Sequence, residues 1–209
     1  MIAKIEDIAP ALVDRAKQAS RFLVAITGPP GAGKSTLAEQ LLESLANLGE
    51  QAAVIPMDGY HLDNAILEDR GLLPRKGAPQ TFDAGGFVSL IERLADPAQY
   101  GDVVIPVFDR SRDIAIAGAE VVSADTRILL CEGNYLLLGQ APWAALQAHW
   151  DYSIFINPGL DVIEQRLIDR WLDHGLEADQ AKIRALGNDI PNARHVLDHS
   201  RPADLQIQD

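Results

Sequence analysis

Residues 22–36, Phe-Leu-Val-Ala-Ile-Thr-Gly-Pro-Pro-Gly-Ala-Gly-Lys-Ser-Thr, decide the fold, because an apolar run enters a glycine-rich turn and leaves it as a helix. The segment from Gly28 to Ser35 fits G-x-x-x-x-G-K-[ST], the pattern of a phosphate-binding loop. The leucines that mark a helix face after it are Leu37, Leu41, Leu42, Leu45 and Leu48. The stretch therefore predicts a strand, a phosphate-binding loop and a helix in succession.

The residue types of this loop match the chemistry of phosphate binding. Glycines let the backbone turn so that its N–H groups point inward at an anion, and Gly33 leaves room beside a phosphate. Lys34 supplies a positive charge for the β- and γ-phosphates, and the Ser35 hydroxyl can ligate Mg²⁺. The residues that we expect to bind a nucleotide are Gly28, Pro29, Pro30, Gly31, Ala32, Gly33, Lys34, Ser35 and Thr36.

The composition is that of an ordinary globular α/β domain. The chain has 209 residues, of which 47% are hydrophobic and 23% charged, and no segment looks like a long interdomain linker. The formal net charge of −12 argues against nucleic acid or an anionic membrane as the main partner. A single cysteine, Cys131, excludes an internal disulfide, and no stretch approaches the roughly 20 apolar residues of a spanning helix. We expect one domain over residues 1–209, a cytoplasmic location and no membrane insertion, with the oligomeric state open and a homodimer among the options.

Hydrophobic periodicity predicts the remaining elements. Helices are expected over about the first twenty residues and over 34–48, 87–94, 142–150, 163–171 and 181–186, and strands over 21–27, 51–57, 103–108, 128–131 and 152–156. The segment 114–122 is predicted to be extended, with a hairpin turn at Gly118. Residues 62–85 carry turn signals but no helical or strand pattern, and a loop of this length is usually functional or disordered.

Acidic residues follow two of the predicted strands. Asp58 comes directly after the strand over 51–57, and Glu132 follows the buried run 128–131. Ligands of parallel sheets lie beyond the carboxyl ends of the strands, which makes both residues site candidates. Asp58 suits the base that accepts a hydroxyl proton, although an aspartate before glycine also forms ordinary turns. A fold with a phosphate-binding loop has a carboxylate associated with the metal ion at the end of such a strand, and Glu132 stands at that place.

Several basic and amide side chains leave two interpretations open. Arg166 and Arg170 lie four residues apart on one helix face, where they could clamp an anion or pair with acids of their own helix. Arg75 and Lys76 could meet substrate or phosphate, or could be solvated charges. The polar residues of the segment 187–192 could bind sugar hydroxyls, or could simply turn the chain.

Four segments resemble the phosphoribulokinase, uridine kinase and pantothenate kinase group of P-loop kinases. They are Gly28–Thr36, Met57–His61, Pro106–Arg110 and Glu132–Leu137. Within that group, Met57–Leu62, Thr81–Asp83 and Gly187–Ala193 look most like small bacterial proteins described as fructose transport system kinases. The resemblance implies an α/β, three-layer P-loop NTPase fold, with a mostly parallel central sheet flanked by helices, a helical lid over about 160–195 and an acceptor-binding loop over about 59–86.

The same resemblance implies ATP and Mg²⁺ as cofactors and assigns roles to individual residues. It implies Asp58 as the base, Lys34 at the phosphates, Ser35 and Glu132 at the metal ion, and Arg166 and Arg170 in the lid. The residues expected to contact the hydroxyl substrate are Asp58, Tyr60, His61, Arg110, Glu132 and Asn134. A neutral polyol such as a sugar suits the uncharged polar residues expected around the pocket, which are Tyr60, His61, Asn64, Asn134, Asn188 and Asn192. Arg110 and Arg112 favour an anionic acceptor instead.

Three other functions are retained as alternatives. The first two are uridine kinase and pantothenate kinase. Uridine kinases have a hydroxyl and an aromatic residue after the base aspartate, where this chain has Gly59-Tyr60-His61. Pantothenate kinases of the group are longer than this chain. An ATP-dependent regulatory protein with a protein partner is the alternative of a different class. Asp83 to Gly86 matches the D-x-x-G of switch GTPases, but it does not follow an apolar strand and no N-K-x-D segment occurs, so we treat the match as accidental.

Overall fold

A five-stranded, fully parallel sheet forms the centre of the computed structural model, which describes residues 5–208. The strands are β1 (Phe22–Thr27), β2 (Ala52–Pro56), β5 (Ile128–Glu132), β6 (Tyr152–Ile156) and β7 (Leu205–Ile207), in the spatial order β2-β5-β1-β6-β7. The remaining strands, β3 (Val103–Asp109) and β4 (Ile114–Val122), pair antiparallel in a separate ribbon. The predicted α/β fold with a mostly parallel central sheet is therefore confirmed.

Helices cover both faces of the sheet. They are α1 (Ile5–Ala16), α2 (Lys34–Asn47), α3 (Asn64–Asp69), α4 (Ala84–Ala95), α5 (Pro97–Tyr100), α6 (Leu160–Asp173), α7 (Ala178–Arg184) and α8 (Ile190–His199). The apolar side chains of β1 alternate between two cores: Leu23 and Ala25 face the core built with α4, and Val24 and Ile26 face the one built with α1 and α2. Because both faces are covered, every residue of β1 is buried, which is why that strand is a continuous apolar run.

The ribbon of β3 and β4 differs from the sequence prediction in the position of its turn. The segment 114–122 is one strand, and the chain reverses at residues 110–113 rather than at Gly118. The pairing register shifts between Ile105 and Val107, around Pro106. Since proline has no N–H to donate, an irregular point of the ladder accommodates it. The ribbon lies beside the carboxyl end of β2, where both of its strands contact the 3-10 turn that follows β2.

The segment predicted to lack regular structure, residues 62–85, contains the helix α3 and two 3-10 turns, Leu73–Arg75 and Pro79–Thr81. Asp63 caps α3 by accepting a hydrogen bond from the Ala65 N–H at 2.8 Å. A helix of six residues is too short to show a repeated apolar face, so periodicity missed it.

The C-terminal third also departs from prediction in three places. The predicted helix over 142–150 is a 3-10 helix, Trp143–His149. The expected helix over 181–186 is part of a longer run in which α7 passes through a π-helical turn, Ala185–Asp189, into α8. The sheet has a further edge strand, β7, which was not predicted. The sequence signal for it was the alternation of apolar and polar residues in Leu205, Gln206 and Ile207. The predicted lid, about residues 160–195, consists of α6, α7, the π turn and the first part of α8.

No helix in residues 5–208 is long and apolar enough to cross a membrane. Cys131 is fully buried in the sheet, and burial raises the pKa of its thiol far above the usual range.

Candidate active site

The phosphate-binding loop has a backbone that only glycine adopts readily. Gly28, Gly31 and Gly33 have φ values of 148°, 79° and 94°. A Cβ atom on Gly28 would lie 2.3 Å from the carbonyl oxygen of Ile156 at the end of β6, so the loop and that strand are in close contact. The loop thus leaves a cradle of backbone groups at the start of α2, as a bound phosphate requires.

Lys34 lies at the floor of this cradle. Its side chain is only 6% exposed, and its Nζ donates a hydrogen bond to the Pro29 carbonyl of the loop at 3.0 Å. Burial lowers the pKa of Lys34, while the carboxylates of Glu132 and Asp58 oppose that shift. An ammonium has three protons to donate, so a buried lysine in a glycine cradle fits the phosphates of a nucleotide.

Ser35 and Glu132 bring two oxygen ligands together beside the loop. Glu132 ends β5, is 8% exposed and lines the same cleft as Ser35. Burial raises the pKa of Glu132, and the nearby Lys34 charge opposes this shift. In residues 5–208, no group of three or more His, Cys, Asp or Glu side chains could hold a metal ion. A hydroxyl and a carboxylate fit Mg²⁺, which takes its other ligands from water and phosphate.

Asp58 lies in a 3-10 turn, Met57–Tyr60, that begins directly after β2. Two glycines make its position possible: a Cβ on Gly133 would lie 2.5 Å from the Met57 Cβ, and a Cβ on Gly59 would lie 2.5 Å from the Pro106 carbonyl oxygen. The ends of β2 and β5 and the ribbon therefore approach each other closely. As a result, Arg110 from the ribbon donates a hydrogen bond from Nη2 to the Asp58 Oδ2 at 2.9 Å.

His61 is packed between two aromatic rings at the edge of the same site. Its ring centroid lies 4.0 Å from that of Phe82 and 4.6 Å from that of Phe108. Burial is the main cause that lowers the pKa of His61. The His61 Nδ1 lies 2.8 Å from the carbonyl oxygen of Asp58, so a neutral imidazole that donates from Nδ1 keeps Nε2 as an acceptor.

A cleft of 810 Å³ joins most of the predicted site residues. Those that line it are Pro30, Gly31, Gly33, Lys34, Ser35, Thr36, Asp58, His61, Arg110, Glu132, Asn134 and Arg170. Arg166 lies against the loop instead, with its Nη1 3.5 Å from the Ala32 carbonyl oxygen. The loop residues Gly28, Pro29 and Ala32 lie behind the cleft surface.

Tyr60 is the predicted substrate residue that the structure does not bring to the cleft. Its ring packs edge-on against Phe87 of α4 at a centroid distance of 5.3 Å, and it is not part of the cleft lining. Burial raises the pKa of its hydroxyl. Since Asp58 and His61 point to the cleft, the tight 3-10 turn directs the intervening Tyr60 towards the α4 core.

The lid supplies cleft residues that sequence reasoning missed. Trp171, the last residue of the predicted helix over 163–171, lines the cleft, and its Nε1 donates to the Asp189 Oδ2 at 2.6 Å. Asp189 ends the π turn, and burial raises the pKa of its carboxyl. His174 and Arg184 also line the cleft. The only available signal was the polar segment 187–192, for which sugar binding was one of two interpretations.

The basic residues of the acceptor-binding loop are held by protein partners. The Lys76 Nζ lies 2.8 Å from the Asp113 Oδ2 and 2.7 Å from the Asn64 Oδ1. Arg75 donates to the Gly187 carbonyl and to the Asn192 Oδ1, both at 3.2 Å. Both side chains are therefore held by the protein rather than simply solvated, and Lys76 lines the cleft, so that contact with substrate or phosphate stays a prediction.

Further hydrogen bonds fasten the same loop to the lid and to the core. Arg184 donates to the Pro74 carbonyl at 2.8 Å, and the Asn188 side chain donates to the Lys76 carbonyl at 2.9 Å. The buried Tyr135 hydroxyl donates to the Gly77 carbonyl. The acceptor side of the cleft is therefore closed by contacts among the ribbon, the loop and the lid.

A phosphate-binding loop that faces two strand-end carboxylates under an arginine-bearing lid defines a nucleotide-dependent phosphotransferase. Comparisons with known proteins agree with this class. A relative from Schizosaccharomyces pombe described as a "putative uridine kinase" is 32% identical over 99% of this chain and 91% of its own length. The Escherichia coli "Uncharacterized protein YggC" is 35% identical over 90% of this chain and 78% of its own.

A solved structure described as a "putative fructose transport system kinase", from Silicibacter sp. TM1040, is 48% identical, with a TM-score of 0.91 over 98% of each chain. Pantothenate kinases are also similar, the one from Clavibacter sepedonicus with 31% identity over 79% of this chain and 52% of its own length. The chain belongs to the P-loop kinases of the phosphoribulokinase, uridine kinase and pantothenate kinase group. Residues 3–82 additionally match the family "Methylmalonyl Co-A mutase-associated GTPase MeaB".

Proposed function

We propose that this protein is an ATP- and Mg²⁺-dependent kinase that phosphorylates a hydroxyl of a small neutral polyol, such as the sugar fructose. The observation that carries the proposal is the convergence of Lys34, Ser35, Asp58 and Glu132 in one cleft. The donor half of that cleft is formed by the phosphate-binding loop, and the acceptor half by the segment around His61 and by the lid.

Bound MgATP supplies the γ-phosphoryl group, whose bond to the β-phosphate oxygen breaks as the acceptor oxygen bonds to phosphorus and ADP leaves. Asp58 orients the acceptor hydroxyl and finally accepts its proton. Lys34 and Arg170 offset the negative charge of the transferred group, with Arg166 holding the loop on the lid side. Ser35 and Glu132 would hold the Mg²⁺ ion. The acceptor loop and lid exclude water, which would otherwise compete with the hydroxyl.

The charges of the acceptor half support a neutral substrate. Lys76 is paired with Asp113, and Arg110 is paired with Asp58. Arg75 is bonded to lid oxygens, and Arg112, 64% exposed, lies 3.9 Å from Asp109. A carboxylate or phosphate on the acceptor would have to break the contacts of Lys76 and Arg75. Hydroxyls can instead bond to the side-chain amides, the imidazole and the Asp189 carboxyl without breaking these contacts. Uridine and pantothenate are the alternative acceptors, supported by the names of relatives.

Acceptor-dependent ADP production from MgATP tests the proposal, measured across a panel of sugars, polyols, nucleosides and pantothenate. We expect activity with a sugar or polyol, and a decrease of roughly 10²–10⁴-fold in Asp58→Asn because the general base is lost. The matched control is Asp69→Asn, in an exposed position at the end of α3. Activity that is unchanged in Asp58→Asn contradicts the role of the base, and selective activity with pantothenate or uridine contradicts the polyol.

An ATP-dependent regulatory protein with a protein partner is the second candidate, because residues 3–82 match a mutase-associated GTPase family. The D-x-x-G segment does not support a switch: Asp83 caps α4 by accepting from the Gly86 N–H at 2.9 Å and is not part of the cleft lining. Retention of a partner only in the ATP state, without any acceptor activity, favours this candidate. The cytoplasmic location and the oligomeric state stay predictions.

A further inference from the structure

Arg110 occupies a defined place at the turn of the ribbon. The Asp109 Oδ1 accepts hydrogen bonds from the Ser111 N–H at 2.9 Å, the Ser111 hydroxyl at 2.7 Å and the Arg112 N–H at 3.1 Å. These three bonds fix the backbone on the C-terminal side of Arg110. The turn is therefore held in place while the long Arg110 side chain, 54% exposed, is free to change rotamer.

The partner of Arg110 is the residue proposed as the catalytic base. Its Nη2 lies 2.9 Å from the Asp58 Oδ2, which leaves this oxygen engaged by a guanidinium instead of an acceptor hydroxyl. An exposed arginine contributes little to folding through one ion pair, so stability alone does not explain a cation on the base.

Arg110 also lies within electrostatic reach of the phosphate-binding groups. Burial lowers the pKa values of Lys34 and Arg170 and raises that of Glu132, and the Arg110 charge lowers the pKa of all three groups. Arg110 borders both the cleft and an adjoining cavity of 500 Å³, which leaves room for its side chain to move. A terminal phosphate bound at Lys34 would be a stronger partner for a guanidinium than a single carboxylate, because it carries more charge and more acceptor oxygens.

We propose that Arg110 is a positioning residue that couples binding of the donor to release of the base: it pairs with Asp58 in the nucleotide-free protein and moves to the terminal phosphate when MgATP binds. The inference rests on the proposed function, since it takes Asp58 as the base and ATP as the donor. This movement of Arg110 makes the Asp58 carboxylate available to the acceptor hydroxyl only after the phosphoryl group is in place.

A double-mutant cycle on nucleotide affinity tests this exchange without any acceptor. Calorimetry with Mg²⁺ and the non-hydrolysable analogue AMP-PNP is carried out on the wild type, Asp58→Asn, Arg110→Gln and the double variant. Asp58→Asn frees Arg110 from its partner, so we expect about fivefold tighter binding, and Arg110→Gln should bind about fivefold more weakly. In the Arg110→Gln background, Asp58→Asn should give no gain. MgADP, which lacks the terminal phosphate, should show no gain in either background.

Two controls keep the outcome interpretable. Arg112→Gln removes an exposed arginine of the same turn and should leave the affinity for the analogue unchanged, and Arg110→Lys should restore part of the loss. If Asp58→Asn raises the affinity for the analogue equally in the wild-type and Arg110→Gln backgrounds, the carboxylate only repels the phosphates, and the proposed exchange is overturned. The exchange is also overturned if Asp58→Asn does not raise this affinity in the wild-type background. Failure of the wild type to bind the analogue contradicts the proposed function as well, whereas additive effects with intact binding overturn only the role of Arg110.

Discussion

The two halves of the cleft are built in different ways. The donor half comes from one continuous segment, residues 28–36, whose shape depends on glycines with positive φ. The acceptor half is assembled from the ribbon, the acceptor-binding loop and the lid, and its hydrogen bonds join residues as far apart as Arg75 and Asn192, 117 positions along the chain. A local site depends on its own backbone, whereas a distributed site depends on the way distant segments pack. The two halves should therefore respond differently to substitution.

The largest effect is expected on the donor half, from Lys34→Met. Loss of the buried ammonium removes a charge that stabilises the transferred phosphoryl group, and turnover of MgATP should fall by roughly 10²–10³-fold. Burying the Lys34 ammonium costs desolvation free energy in the folded protein. Replacing it with an apolar side chain should therefore not lower the melting temperature of the nucleotide-free protein. Lys17→Met, which removes an exposed lysine paired with Asp14, is the control and should keep full turnover. Turnover within threefold of the wild type in Lys34→Met would contradict the assignment of the loop.

Gly28→Ala tests whether the donor half depends on its backbone. The added Cβ would lie 2.3 Å from the Ile156 carbonyl, and φ is 148°, so the variant should lose about 1–3 kcal/mol of unfolding free energy in urea titrations. Gly187→Ala is the matched control, because its Cβ would meet nothing within 4 Å. The control should unfold at the same urea concentration or slightly higher. Equal loss in both variants would mean that crowding at Gly28 is not the cause.

Arg75→Gln tests the acceptor half alone. It removes the bonds to Gly187 and Asn192 that connect the acceptor-binding loop with the lid. We expect KM for the acceptor to rise by about three- to tenfold while the affinity for MgATP stays unchanged, because one or two hydrogen bonds are lost. Arg70→Gln, at the end of α3, should change neither constant. A comparable loss of MgATP affinity in Arg75→Gln would show that the two halves are not independent.

The smallest effect is a pH dependence of stability at the acceptor half. Burial lowers the pKa of His61, so the unfolded chain takes up a proton at a higher pH than the folded protein does. The stability contributed by the neutral imidazole is complete above about pH 6.5 and is lost as the pH falls through the folded pKa. Urea unfolding at pH 7.5 and 5.5 should thus show a smaller decrease in His61→Gln than in the wild type. An equal decrease in both proteins would contradict a buried neutral His61.

The difference between the halves also explains what the sequence could predict. The loop, the helix after it and the carboxylates at the ends of β2 and β5 follow from short patterns, and the parallel sheet follows from buried apolar runs. The role of Trp171 and the position of Tyr60 depend instead on how a π turn and a 3-10 turn orient side chains, and no local pattern encodes those turns. Arg75 likewise bonds to Asn192, 117 positions away, and Lys76 to Asp113, 37 positions away.

The single cysteine of this chain has a practical consequence. Cys131 is buried with a raised thiol pKa, so it should react slowly with maleimide reagents. A cysteine introduced at Ile183, which is 72% exposed on the lid, would then be the one fast-reacting thiol. One fluorescent label at that position could report lid motion on addition of nucleotide or acceptor, with no need to replace the native residue first.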